Sequence, residues 1–302
     1  MTRILLLGKD GQVGWELARA LPALGELQAY GRQQADLADL DGLRALVQRA
    51  RPDVIVNAAA YTEVDRAETE PELAMAVNGA APGLLAEEAR QMEALLLHLS
   101  TDYVFDGKAR QPYRETDPPN PISVYGRSKL AGEQAVQSPG ARALILRTSW
   151  IYSLRRESFV TKVLGWARQR DKLRIVDDQW GSPTWCRTLA AAAVHALSSL
   201  VRREAEHRLG LYHVVCRGAP SRYELAEAAL KFSGLDPQPS LKRASNDEFP
   251  ARADRPAYSA LDPTLFEKTF GYAMPDWQSC LQQALARGTK QGNPPVKPGS
   301  AA

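Results

Sequence analysis

The sequence predicts an α/β protein, a doubly wound parallel sheet with a smaller C-terminal substrate domain. Three observations predict it. Short continuous apolar runs, Ile4–Leu7 and Val54–Val56 among them, have the pattern of strands buried on both faces. The first run feeds straight into a turn with glycines at three-residue spacing, Gly8, Gly11 and Gly14, and then into a helical stretch. Strand-like and helix-like stretches then alternate at crossover length through the first half of the chain, the order of a parallel sheet.

Ile4–Leu7 is the first strand and Trp15–Leu21 the first helix. Between them, Gly8-Lys9-Asp10-Gly11-Gln12-Val13-Gly14 suits a tight turn whose backbone N–H groups face a pyrophosphate, and the helix N-terminus adds favourable partial charge. The spacing is GxxGxxG rather than GxGxxG. Glu26–Tyr30 is a second strand, followed by Gly31 and Arg32. A site for NAD usually offers an acid at this strand end to hold the ribose hydroxyls. Here none comes before Asp36, whereas Arg32 can pair with a 2′-phosphate, so NADPH is the expected cofactor and NADH the alternative. By position Asp36 and Leu37 can contact the adenine, and Asp36 suits a turn or cap equally well.

Leu40–Arg49 has helical periodicity, and the third strand, Val54–Val56, ends in Asn57-Ala58-Ala59-Ala60. Small residues such as Ala58, Ala59 and Ala60 at a strand's carboxyl end let a cofactor lie close to the backbone. The polar loop from Tyr61 to Asp65 opens a helix running to Asn78. A further helix, Ala81–Met92, leads to a fourth strand, Ala94–Ser100, inside which His98 reads as a core histidine.

Ligands of such sheets bind outside the carboxyl ends of the strands, so Thr101 is placed to reach a reacting carbonyl. A proline-rich loop then leads to a helix carrying Tyr125 and Lys129, whose four-residue spacing puts both side chains on one face. An ammonium held near a phenol favours the phenolate and lowers its pKa. A phenol tuned in that way can hand a proton to a carbonyl oxygen as hydride arrives at its carbon. Ala143–Leu146 is a fifth strand, closed by Arg147-Thr148-Ser149-Trp150, where Trp150 suits either the core or a cover over a sugar or base.

Beyond this point the pattern loosens. Helices are expected over Phe159–Arg170, Thr188–Val201, Tyr223–Phe232 and Trp277–Ala286, and strands over Leu173–Val176 and Leu211–Val215, the latter returning to the main sheet. Ser221 with Glu224 makes a capping box for the third of these helices. The expected organisation is a dinucleotide-binding domain over 1–150 with the returning strand near 211–215, a mainly substrate-binding domain over 151–287, and a disordered Gly-, Pro- and Lys-rich tail over 288–302.

A length of 302 residues allows one large domain or two moderate ones. The net charge of +3 is too small and dispersed to suggest nucleic acid, and it suits an anionic small molecule mildly. The apolar run at the start is too short for a signal peptide or membrane span. Three cysteines far apart in sequence, without metal-ligand spacing, read as buried or incidental thiols in a reducing compartment. A cytoplasmic location is expected.

Several stretches together resemble the dTDP-4-dehydrorhamnose reductase family of the extended short-chain dehydrogenase superfamily, over nearly the whole chain except the tail. They are the Gly8–Gly14 turn, Ala60 to Glu68, Ser100 to Asp106, Tyr125 to Lys129, Arg147 to Trp150, Asp178 to Thr184 and Arg255 to Ser259. The resemblance implies reduction of the C4 ketone of dTDP-4-dehydro-β-L-rhamnose with a nicotinamide cofactor. It makes Tyr125 the proton donor and Lys129 the residue that lowers its pKa and holds the nicotinamide ribose. Thr101 would hydrogen-bond the C4 oxygen and, with Asp102 and Trp150, contact the sugar. Gly11, Gln12 and Val13 would hold the pyrophosphate, and Ala58 to Ala60 would line the cofactor. Some members dimerise around a magnesium ion held by glutamates, one at the position of Glu16. Here Cys186-Arg187-Thr188 stands where another glutamate is expected, and an arginine there repels a cation. No metal is therefore expected, Glu16 reads as a surface helix residue, and the chain is taken as a monomer or weak homodimer. A 4,6-dehydratase would need a second carboxylate after the threonine, where this chain has Asp102-Tyr103. A 4-epimerase, or a regulatory subunit that binds NADP without turnover, is the alternative.

Overall fold

The computed structural model describes residues 1–138, 140–201 and 205–290. Its centre is a six-stranded sheet. The strands and helices of the first half are β1 (Arg3–Leu7), α1 (Gln12–Ala20), β2 (Glu26–Tyr30), α2 (Leu40–Ala50), β3 (Val54–Asn57), α3 (Val64–Ala67), α4 (Pro71–Met75), α5 (Ala81–Gln91), β4 (Leu95–Thr101), α6 (Val124–Gln137) and β5 (Arg142–Thr148). The second half adds β6 (Ile151–Tyr152), α7 (Phe159–Ala167), β7 (Lys172–Val176), β8 (Thr184–Trp185), α8 (Cys186–Leu200), β9 (Gly210–His213), α9 (Arg222–Ser233), β10 (Ser240–Ala244), α10 (Thr264–Phe270) and α11 (Trp277–Lys290). The central order is β2-β1-β3-β4-β5-β9, parallel throughout. The order reverses between β1 and β3, which opens a crevice outside their carboxyl ends.

The apolar runs are continuous because both faces of the sheet are covered. Ile4, Leu6, Val54, Val56, Leu95 and Leu97 pack on one side with Leu17 of α1 and Leu189 of α8. Leu5, Leu7, Ile55 and Leu96 pack on the other with Leu43 and Val47 of α2 and Leu84 and Leu85 of α5. Alternate residues of one strand thus serve two different cores. Complete burial of each such side chain contributes about 1.5–3 kcal/mol.

The expected first-half strands all form, and β9 joins the edge of the sheet beside β5 as the returning strand. The chain between Tyr61 and Asn78 is not one helix. It stops after Ala67 and restarts at Pro71, which fixes its own φ and disfavours helix in the residue before it. From Pro71 the helix runs on to Gln91 through a π-type segment, Ala76–Ala80. Pro82 has no N–H for the ordinary helical bond to the Asn78 carbonyl, which accounts for the widened turn. Strands β6, β8 and β10 and helix α10 carry no sequence signal of their own. β6 pairs with β8, and β10 with β7, each parallel. The capping box at Ser221 and Glu224 is present. Helix α11 continues to Lys290, past the start of the expected tail, and 291–302 lie outside the described residues. Cys186, Cys216 and Cys280 are free and buried, and the fold brings the Sγ atoms of Cys216 and Cys280 to 3.4 Å. No helix among the described residues is long and apolar enough to cross a membrane.

Candidate active site

The turn after β1 and the end of β3 are in contact. Gly8 has φ +86°, and a Cβ there would stand 2.7 Å from the Ala59 nitrogen. Only glycine meets both conditions, the left-handed backbone and the close approach. Gly11 is the N-cap of α1 and gives it no side-chain cap, so the first N–H groups of the helix, at Gln12, Val13 and Gly14, remain available. Gln12 Oε1 beside them is buried without a partner. A glycine cradle, an uncapped helix start and an orphaned polar atom fit the pyrophosphate of a dinucleotide. At the end of β2, Arg32 is exposed and lies 3.7 Å from Asp36. Asp36 accepts from the Ala38 N–H at 3.0 Å, so it caps the turn, and the Leu37 side chain is buried in the core. Ala58, Ala59 and Ala60 line the crevice half-buried.

On the other side of the crevice, Ser123 caps α6 by accepting from the Gly126 N–H at 3.1 Å. Gly126 lets the helix lie against the Tyr103 carbonyl, 2.2 Å from where a Cβ would be. This seats Tyr125 beside Thr101, the last residue of β4. The Thr101 hydroxyl is close enough to the phenol to oppose the effect of burial on it. Thr101 Oγ1 also accepts from the Tyr103 N–H at 3.2 Å and donates to Asp102 Oδ1 at 3.1 Å. Asp102 is held in turn by the Ser149 hydroxyl, which donates to its Oδ2 at 2.9 Å, and burial raises its pKa. The Tyr103 and Tyr125 rings meet edge to face at 5.6 Å.

Tyr125 and Lys129 do share the expected helical face, but the ammonium is not turned to the phenol. Lys129 Nζ donates to the Leu99 carbonyl at 2.7 Å and stands 3.5 Å from His98 Nε2. Burial pushes the amine down to about 8, against the pull of Glu133. Burial likewise pushes the Tyr125 phenol above its usual range, with Thr101 opposing. The expectation of a phenol already lowered by its lysine is therefore corrected for this structure: burial sets the direction, because the ammonium points into the sheet at the Leu99 carbonyl.

His98 is the buried core histidine expected, with partners at both ring nitrogens. Register sets Asn57 beside it. The Asn57 amide is oriented by the Ala59 N–H, which donates to Oδ1 at 3.2 Å, so Nδ2 donates to His98 Nδ1 at 3.2 Å. The ring proton then sits on Nε2, facing Lys129. Burial, and next the charge of Lys129, keep the imidazole well below its usual pKa and neutral. Asn78, on the π segment, binds the Tyr61 backbone through both Oδ1 and Nδ2 and donates to Ser128 Oγ at 3.0 Å. It ties the loop after β3 to α6. Neither asparagine stood out in the sequence; the signal that could have found Asn57 is a polar residue closing an otherwise apolar strand.

Trp150 lies at the mouth of the site with φ +43°, a left-handed conformation rare for a tryptophan. The Arg222 guanidinium stands 3.5 Å above its indole and 4.9 Å from the Phe159 ring. Burial lowers Arg222 to about 10 despite Tyr103 and Asp102 nearby. Arg222, read in the sequence only as part of a capped helix, is thus brought to the site. Among the described residues no group of three or more His, Cys, Asp or Glu side chains could hold a metal.

A glycine turn at the head of a parallel sheet, with a threonine at a strand end and a Tyr-x-x-x-Lys helix across the crevice, defines an oxidoreductase of the Rossmann-type α/β class. The family is more specific than that. A family model described as RmlD substrate binding domain matches residues 1–290, and the chain belongs to this family of dTDP-4-dehydrorhamnose reductases. It is 41% identical to the dTDP-4-dehydrorhamnose reductase of Burkholderia thailandensis over 94% of this chain and 100% of the relative. Identity to that of Escherichia coli is 39%, over 93% of this chain and 96% of the other. A crystal structure of the Bacillus anthracis dTDP-4-dehydrorhamnose reductase in complex with NADP superposes with a TM-score of 0.86 at 31% identity, over 95% of this chain and 99% of that one. The Thermus thermophilus UDP-glucose 4-epimerase shares the fold, with a TM-score of 0.77 over 94% of this chain and 98% of that one, at 22% identity.

Proposed function

We propose that this chain reduces the C4 ketone of dTDP-4-dehydro-β-L-rhamnose to dTDP-L-rhamnose with NADPH. The observation that carries the reading is the placement of Thr101, the last residue of β4, beside Tyr125 of α6, on the helix that also carries Lys129, with the Gly8 turn at the head of the same sheet. Bound NADPH supplies the hydride. Gly11, Gln12 and Val13 would hold its pyrophosphate, Ala58 to Ala60 would lie against it, and Arg32, now 3.7 Å from Asp36, would pair with the 2′-phosphate.

Tyr125 gives its proton to the C4 oxygen and is left as phenolate, so the ketone gains one hydride and one proton. Its raised pKa keeps the phenol protonated, and therefore a donor, at neutral pH. Thr101 turns its hydroxyl from Asp102 to the same oxygen. Lys129 would hold the ribose and stabilise the phenolate on leaving the Leu99 carbonyl that it bonds in the free protein. Asp102 and Trp150 contact the sugar. In this reading residues 1–150 with β9 hold the dinucleotide, and 151–287 mainly shape the sugar side.

The test is NADPH oxidation followed at 340 nm with dTDP-4-dehydro-β-L-rhamnose, in wild type and Tyr125→Phe. Wild-type turnover that drops roughly 10²–10⁴-fold in the variant supports the reaction and the acid together. Tight NADPH binding without turnover would sink the proposal in favour of a regulatory nucleotide-binding subunit.

A further inference from the structure

Four arginines on four separate parts of the chain converge on one carboxyl, away from the crevice. Arg19 lies on α1, Arg155 just after β6, Arg187 at the start of α8 and Arg287 on α11, and together they line a cleft around Glu16. All four are exposed, and none has an ion-pair partner among the described residues. Four guanidiniums against one carboxylate leave three positive charges unmatched, as many as the net charge of the whole chain. Glu16 itself is half-buried rather than a plain surface residue. Desolvation raises its pKa, and the four arginines, Arg187 foremost, pull the other way.

Two further features specify the ligand. Arg155 and Arg19 stand over the Trp15 indole at 3.8 and 4.7 Å, so the ring is taken and no nucleobase can stack there. A guanidinium stacked by its face keeps its N–H edge free for two-pronged binding of an oxyanion. The wall includes Ser153, 3% exposed, whose hydroxyl has no hydrogen-bond partner. A buried hydroxyl left unsatisfied by the protein is a donor in reserve. The cleft offers about 70 Å³ to water-sized occupants. At ~10–15 Å³ for each water, that is the scale of a few oxygens around one or two phosphorus atoms, far short of a nucleoside.

We propose that this cleft is a binding site for a compact multivalent oxyanion of the phosphate type, free or as the exposed end of a larger phosphate ester. The site is independent of the crevice and of the reaction proposed for it. Glu16 acts as an internal competitor for the arginines.

The experiment is calorimetric titration of the whole protein with inorganic pyrophosphate at low salt, with and without saturating NADPH, repeated with inorganic phosphate and a nucleoside triphosphate. Saturable one-site binding that persists with NADPH and weakens as salt rises is expected. Removing Arg187 and Arg287 together (Arg187→Ala with Arg287→Ala) should weaken it roughly a hundredfold, about tenfold for each charge-assisted contact. Glu16→Gln should tighten it, an effect no merely structural role for Glu16 produces. Both variants alter groups on the cleft rim, and far-UV circular dichroism checks their fold. Equal affinity for pyrophosphate and the triphosphate marks the terminal phosphates as the ligand; preference for pyrophosphate marks the free ion. No saturable binding, or binding unchanged in the double arginine variant, overturns the proposal. So does a homodimer in sedimentation that the arginine substitutions dissociate while pyrophosphate fails to bind, because the arginines would then serve an acidic face of a second copy.

Discussion

Asn57 Nδ2 stands 3.2 Å from His98 Nδ1, and this contact decides which edge of the imidazole meets Lys129. With Nδ1 accepting, the ring proton is on Nε2, 3.5 Å from the Lys129 amine. Two hydrogen-bearing nitrogens can share that edge only if one is uncharged. A lysine brought down to about 8 and a histidine held neutral satisfy the condition.

The first prediction concerns acid. His98 lies well below the usual 6.5, and burial, helped by Arg147, brings His213 to about 3. A depressed histidine means that the unfolded chain takes up the proton first. Stability is therefore complete above pH 6.5 and falls as the pH drops toward 3. The slope is up to about 1.4 kcal/mol per pH unit for each histidine. Urea unfolding across this range should show the fall, and His213→Gln should make it shallower. NMR should find that the His98 ring does not titrate between pH 8 and 5; a mid-range titration would remove the tautomer argument.

Thr101→Val keeps the shape of the strand end but removes the hydroxyl that donates to Asp102 and lies beside Tyr125. Loss of one donor to the developing oxyanion should lower kcat roughly 10²–10³-fold with little change in NADPH affinity. Thr101→Ser should recover most of the rate. Equal rates for valine and threonine would show that the hydroxyl does not touch the reacting oxygen.

Gly8→Ala should damage the cofactor site before it damages the sheet. The added methyl needs φ +86° and would stand 2.7 Å from the Ala59 nitrogen, so the turn and the end of β3 must part. A stability loss of about 1–3 kcal/mol is expected, together with a larger fall in NADPH affinity, measured by fluorescence titration. Wild-type affinity in the variant would mean that the cradle is not where the dinucleotide lies.

Behind the site, Glu133 and Arg147 form a buried pair, Arg147 Nη2 donating to Oε2 at 2.7 Å, while the Ser100 hydroxyl donates to Oε1 at 2.5 Å. Glu133→Leu leaves a guanidinium uncompensated in the interior and should cost about 3–5 kcal/mol in chemical unfolding. Glu133→Leu with Arg147→Met removes both charges and should recover much of that loss. A double variant as unstable as the single one would put the cost in packing rather than charge.

The sequence by itself determined the layers of the fold and marked the residues proposed to react. Apolar runs at Ile4–Leu7 and Val54–Val56, a glycine turn, a threonine closing a strand, and the four-residue spacing of Tyr125 and Lys129 are local patterns, and local patterns survive without knowledge of what packs against them. Tertiary structure alone decided the rest. Whether Lys129 faces the phenol or the sheet depends on Leu99 and His98, thirty and thirty-one residues away in sequence. The π segment is compatible with its surroundings because Asn78 finds partners at Tyr61 and Ser128. Arg222 reaches Trp150, and four arginines reach Glu16, across elements that no periodicity connects. The physical reason is that burial and charge depend on distance in space, and chain spacing fixes that distance only within one helix or strand.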